Sequence, residues 1–226
     1  RDKEDDERHP SCRMSAMRCS VWPGLLKAAA YNLNRQRDRI RLFEIGLCFC
    51  LKKNGSSLSL QNIKQEKKIA FLATGQKNPE NWTSESDEMD FYDLKGDLES
   101  ILLVAQVDRE IRFVRSSSSA LHPGQSADIL IGEKKCGTLG RLGSRIQKEL
   151  GLRQKVFLCE IDLSCLGSGR VVQSKMLSKF PEIRRDLSFI VDEKIEVSEI
   201  TSIVKRCSAL LKDLIVFDVY QGEGID

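Results

Sequence analysis

The run RLFEIGLCFCL at residues 41 to 51 constrains the fold more than any other stretch. Phe43, Ile45, Leu47, Phe49 and Leu51 recur at every second position, which places them on one face of a β-strand. Shorter strand-like runs follow: IAFLATG, EIRFVR, SADILIGE, KKCGTLGRL, KVFLCEIDL, DLSFIV and LIVFDVY. Between them the period changes. WPGLLKAAAYNLNRQ repeats Leu26, Ala29, Ala30 and Leu33 at helical spacing, with Pro23 suited to the first turn of a helix. DFYDLKGDLESILLVAQV carries Leu94, Leu98, Ile101, Leu102 and Ala105 on one stripe, and SEITSIVKRCSALL carries Ile200, Ile203, Val204, Cys207 and Leu211. GSRIQKELGL reads as a short helix. SSSSALHPGQ reads as a break between strands. Strand runs interleaved with helices in this order imply an α+β chain whose first sheet is mainly antiparallel.

Composition supports a packed fold. The 226 residues are 41% hydrophobic and 31% charged, enough for a core and against disorder. The net charge of +3 permits an RNA partner without arguing for one. No apolar run approaches the roughly 18 residues needed to span a bilayer. The opening RDKEDDERHP has no apolar segment of the secretory kind. Residues 1 to 13 read as a charged tail. Eight cysteines are spread along the chain without the spacing of a small disulfide framework, and without a CxxC pair for zinc. His9 and His122 alone could add nitrogen ligands. Cys48 and Cys50 share a strand face and read as small buried or half-buried thiols. NWT at 81 to 83 fits a glycosylation acceptor only by coincidence in such a chain.

Several motifs carry a bland reading beside a chemical one. Gly137, Gly140 and Gly143 in GTLGRLG lack the spacing of a phosphate loop, and read as a strand whose backbone lies close to a neighbour. His122 before a Pro-Gly turn reads as structural. Asp90, Asp93, Asp97 and Glu99 read as the solvated side of their helix in preference to a metal site. Lys179, Arg184 and Arg185 in KFPEIRRDLSFIVD cluster before a strand. Their cations suit an RNA backbone, while Glu182 and Asp186 could neutralise them within a salt-bridged strand.

SKFPEIRRDLSFIVDE and LLKDLIVFDVYQGEGI together resemble the ferredoxin-fold anticodon-binding domain of the beta subunits of bacterial phenylalanine–tRNA ligases. Upstream, MRCSVWPGLLKAAAYNLNRQRDRIRLFEIG, DFYDLKGDLESIL and LHPGQSADILIGEKKCGTLGRL resemble the same subunits in the same order. The resemblance covers nearly everything from about residue 10 onward. Gly143 and Ser144 stand where that family usually carries His-Pro.

The resemblance implies a class II synthetase-like but catalytically silent core over 14–168, truncated on its N-terminal side, then a partial ferredoxin-like β-α-β over 169–226. The SCLGSGR stretch would hold the boundary. It implies a cytoplasmic enzyme that attaches phenylalanine to its tRNA with ATP and Mg2+. The assembly would be an (alpha–beta)2 heterotetramer whose active site lies on the alpha subunit. Phenylalanine tRNA and the alpha subunit are the partners it implies. It raises Lys179, Arg184 and Arg185 as tRNA phosphate contacts.

No catalytic residue and no resident metal or cofactor is expected in these residues. Beyond RLFEIGLCFCL stand Lys52 and Lys53 rather than the arginines that hold ATP phosphates, and KVFLCEIDL is not the glycine-rich strand of an active site. A terminal domain of the β-α-β-β-α-β kind needs a third strand after the Gly222–Gly224 turn. The polypeptide is therefore expected to be a piece of a longer protein. The alternative is a stand-alone, non-catalytic synthetase-like module that binds RNA or protein.

Overall fold

A computed structural model describes residues 17–51, 62–80, 82, 87–105, 107, 109–167, 179–192, 194–208, 210–220 and 222. The charged tail at 1–13, Lys52, Lys53, Asn81, Thr83 and Gly224 lie outside them. The chain divides into two compact units, Arg1–Val171 and Val172–Asp226.

The first unit is built on one six-stranded antiparallel sheet. Its elements are α1 (Trp22–Leu33), β1 (Ile40–Leu51), β2 (Ile63–Thr74), α2 (Phe91–Val104), β3 (Ile111–Arg115), β4 (Leu121–Ile131), β5 (Lys134–Leu142), α3 (Ser144–Glu149) and β6 (Val156–Asp162). The strand order is β1-β2-β6-β5-β4-β3. A hairpin (β1–β2) and a meander (β3–β4–β5) are thus joined by β6 between them. The central position explains the composition of β6: VFLCEID is buried on both faces apart from its acids. Phe157, Cys159 and Ile161 point to one side with Leu98 and Leu102 of α2, while Val156 and Leu158 point to the other with Leu25 and Ala29 of α1.

Local chemistry sets both helices. Asp90 accepts from the Asp93 backbone N–H at 2.9 Å, and the Asp93 carboxylate accepts from the Asp90 N–H at 2.9 Å. This reciprocal box starts α2, and Leu94, Leu98 and Leu102 then fall on its buried stripe. No side chain of the usual capping kind stands at the α1 N-cap, Val21. Its first turn is held from β6 instead: Glu160 accepts from Val21 N–H at 2.8 Å and from Ser20 Oγ at 2.7 Å. Lys68 of β2 lies 3.0 Å from the other oxygen of Glu160.

Two points of the sequence reading are decided here. First, the face of β1 that carries Cys48, read as a buried or half-buried thiol, is the buried one: Ile40 and Cys48 are buried, whereas Phe43 is 70% and Leu47 44% exposed. The reason is position. β1 is an edge strand covered by α1 on its Ile40–Cys48 side, and α2 reaches its other side through the Arg41–Asp97 ion pair at 2.7 Å. Second, LHPGQ does not break the sheet. β4 begins at Leu121 and runs through Pro123, with a register shift between Leu121 and Ser126. Such an irregularity tolerates a residue that has no N–H to donate.

The second unit contains one described helix, α4 (Val197–Cys207). It ends at Cys207 rather than Leu211, because Ser208 adopts an extended conformation. Residues 186–191 and 214–220 flank it without ladder pairing among the described residues. The two strands of a split β-α-β unit are not neighbours, and each needs another strand between them. None of the described residues of this unit is buried.

Candidate nucleic-acid interface

The basic cluster at the start of the second unit is divided by its own acids. Arg184 Nε lies 3.1 Å from Asp186 Oδ1, and its guanidinium stands 5.6 Å over the Phe217 ring. Glu182 is taken by Lys212, whose hydrogen bond and charge hold the Glu182 carboxyl below its ordinary range. Lys179 and Arg185 are exposed and have no ion-pair partner among the described residues. Both readings of the cluster therefore find residues: Arg184 sits in a structural pair, while Lys179 and Arg185 present free cations.

The other singled-out residues have structural employment. A Cβ on Gly137 would stand 2.3 Å from the Glu160 carbonyl oxygen, and one on Gly140 2.6 Å from that of Gln125. These glycines let β5 lie against β6 and β4. His122 Nδ1 accepts from the Gly124 N–H at 3.2 Å, which fixes the local turn. Asp93 pairs with Lys77 at 2.6 Å, Asp97 with Arg41, and Glu99 with Lys95 at 2.8 Å. Cys48 and Cys159 are buried and Cys50 half-buried, and all seven described cysteines are free thiols. Burial, then the neighbouring Cys165, pushes the Cys136 thiol up to about 11, so it stays protonated at neutral pH.

A cavity of about 390 Å3 opens at the end of the sheet where β1 begins. Its lining includes Asp38, Glu88, Gln154 and Lys155. Lys155 is already paired with Glu88 at 2.9 Å. Two carboxylates and one neutralised lysine fit a triphosphate poorly.

The sequence reading passed over one feature. In the turn from α1 to β1, Arg35, Arg37, Arg39 and Arg41 alternate within seven residues and are all exposed. Their alternation was the available signal.

Comparison with known proteins matches residues 10–163 to the family described as the phenylalanyl tRNA synthetase beta chain CLM domain. Residues 178–226 match the ferredoxin-fold anticodon binding domain. The phenylalanine–tRNA ligase beta subunit of Pseudomonas syringae pathovar tomato is 42% identical over 214 residues, covering 94% of this chain. That of Pasteurella multocida is 41% identical over 216 residues, covering 95%. The chain spans about a quarter of the length of these relatives, 26% and 27% respectively. No helix among the described residues is long and apolar enough to cross a membrane.

Proposed function

The chain belongs to the family of phenylalanine–tRNA ligase beta subunits, and from that premise we propose that it is the scaffold and tRNA-binding portion of such a ligase. The observation that carries this reading is the match to two family domains in order, over 10–163 and 178–226. In this reading residues 14–168 are the synthetase-like core, residues 169–226 the portion of the anticodon-binding domain, and residues 1–13 a tail. The parent enzyme is a cytoplasmic (alpha–beta)2 heterotetramer that joins phenylalanine to its tRNA. ATP and Mg2+ act at the alpha subunit, consistent with the poor fit of the sheet-end cavity to a triphosphate.

Lys179 and Arg185 supply phosphate contacts from the second unit. Arg184 contributes to the same surface from a fixed position, because Asp186 and the Phe217 ring orient its guanidinium. A guanidinium paired through its Nε keeps its terminal N–H groups for a phosphate oxygen. In the heterotetramer, Arg185→Ala should lower the magnitude of the slope of log affinity for phenylalanine tRNA against log salt by about 0.7 to 0.9. An unchanged slope with only a lower melting temperature would make the arginine structural. The isolated chain should show no phenylalanine-dependent ATP–pyrophosphate exchange, and exchange above background would move catalysis onto it.

A further inference from the structure

We infer that the α1–β1 turn is a second RNA-phosphate contact surface, carried by Arg35, Arg37 and Arg39 of the first unit. This rests on the reading of the chain as part of a tRNA ligase, but it uses residues outside the anticodon-binding domain. The seven residues Arg35 to Arg41 hold four arginines against one aspartate, a net +3, which equals the charge of the whole chain. So much charge in one turn is an electrostatic footprint that the composition hides.

Arg35, Arg39 and Arg41 are held in place. The Arg35 guanidinium lies 3.4 Å over the Tyr31 ring and donates to the Tyr31 carbonyl at 3.1 Å. Arg39 and Arg41 both donate to the Lys77 carbonyl, at 3.3 and 3.2 Å. Arg39 and Arg41 stand two apart where the chain enters β1 and reach the same carbonyl, so they project to one side. Gln36, at φ 61°, is the non-glycine residue that turns the chain between Arg35 and Arg37.

Compensation is uneven around them. Arg41 is neutralised by Asp97, Lys77 by Asp93 and Lys155 by Glu88. Arg35, Arg37 and Arg39 have no ion-pair partner among the described residues, although Asp38 sits between two of them. Arg153, exposed at the start of β6 on the same sheet end, has none either. Uncompensated guanidinium groups, of which Arg35 is backed by an aromatic ring and Arg39 is tied to a carbonyl, suit the phosphates of an RNA strand. An acidic peptide is the competing ligand.

The test uses the 226-residue chain, with unfractionated tRNA and poly-L-glutamate as separate probes across a salt series. Arg35→Gln/Arg37→Gln should lower the magnitude of the tRNA salt slope by about 1.5, from roughly 0.7 to 0.9 per contact. Lys64→Gln/Lys67→Gln removes the same charge at the opposite end of β2 and should leave the slope nearly unchanged. Equal losses in both double variants would reduce the effect to net charge and overturn the inference. So would tighter binding of poly-L-glutamate than of tRNA, or an unchanged slope in the arginine variant with its circular dichroism intact. An Arg184→Ala/Arg185→Ala chain separates this claim from the preceding one. If it keeps the parent slope while the turn variant loses slope, the anticodon-domain contacts fail and the turn stands.

Discussion

The two units are written in similar alphabets and reach opposite ends. Both combine alternating apolar segments with an amphipathic helix. In the first, α1 and α2 close two faces of a sheet, and residues such as Ile129, Leu139 and Leu158 are fully buried. In the second, Phe189, Val216 and Ile203 have the same character, yet all three are exposed. The difference lies in the availability of partners, not in propensity. β6 finds β2 and β5 on its two sides, while residues 186–191 and 214–220 find no neighbour among the described residues. Alternation specifies a strand only when an adjacent strand accepts its hydrogen bonds.

The largest effects should come from opening the first unit. Leu98→Ala removes a side chain of α2 seated on β6 and should cost about 2 to 5 kcal/mol in denaturant unfolding. A loss below about 1 kcal/mol would show that α2 does not seal that face. Next stands Glu160→Gln, which weakens the anchor of α1 and leaves Lys68 only the more distant carboxylate of Glu66, at 3.9 Å. A cost of about 1.5 to 3 kcal/mol is expected. Its pH dependence has a definite sign. Burial pushes the Lys68 ammonium down, but the Glu160 hydrogen bond and charge outweigh it, and the pKa stands above 10.5. A raised folded value gives stability that is fully present below 10.5 and fades as pH rises through the folded value. The advantage of the parent over Glu160→Gln should therefore hold at neutral pH and shrink in strong alkali. A constant difference through that alkaline range would separate Lys68 from the anchor.

Asp90→Ala should cost about 1 kcal/mol by removing the α2 cap. Its partner Asp93 gives the acid limb. Burial raises the Asp93 carboxyl, but the Lys77 hydrogen bond and the Asp90 N–H win, holding it below 3.8. That contribution is present above 3.8 and is lost as pH falls through the folded value. The smallest effect belongs to the second unit. Ile203→Ala, on the exposed face of α4, should change unfolding by no more than about 0.5 kcal/mol. A cost near that of Leu98→Ala would mean the two units are alike after all.

What could be read from sequence follows the same division. Most strands of the first sheet and the buried stripe of α2 were legible, because period and capping chemistry are local; the polar stretch ahead of IAFLATG reads as a loop, yet β2 begins at Ile63, because IKQEKK pairs along β1 without an apolar alternation of its own. Which face of β1 turns inward was legible only through Cys48 and Cys50: Phe43, Ile45 and Leu47 are the more apolar row, but the placement of α1 on the Ile40–Cys48 side decided it. The path of β4 through Pro123 depends on a register shift against β5, which no local pattern carries. In the candidate interface, Lys179, Arg184 and Arg185 were visible as a cluster, but the pairing of Glu182 with Lys212 spans thirty residues. The arginine turn was visible letter by letter but was divided, with Arg35 read into the end of a helix and Arg41 into a strand.

Residue-level hydrogen exchange on the 226-residue chain tests the contrast most directly. Backbone amides of β2, β4, β5 and β6 should exchange slowly, near the rate set by global unfolding, while residues 185–192 and 212–220 exchange with little protection. Uniformly high protection across residues 185–220 of the monomer, equal to that of β6, would contradict a finished core in one unit and an uncovered one in the other.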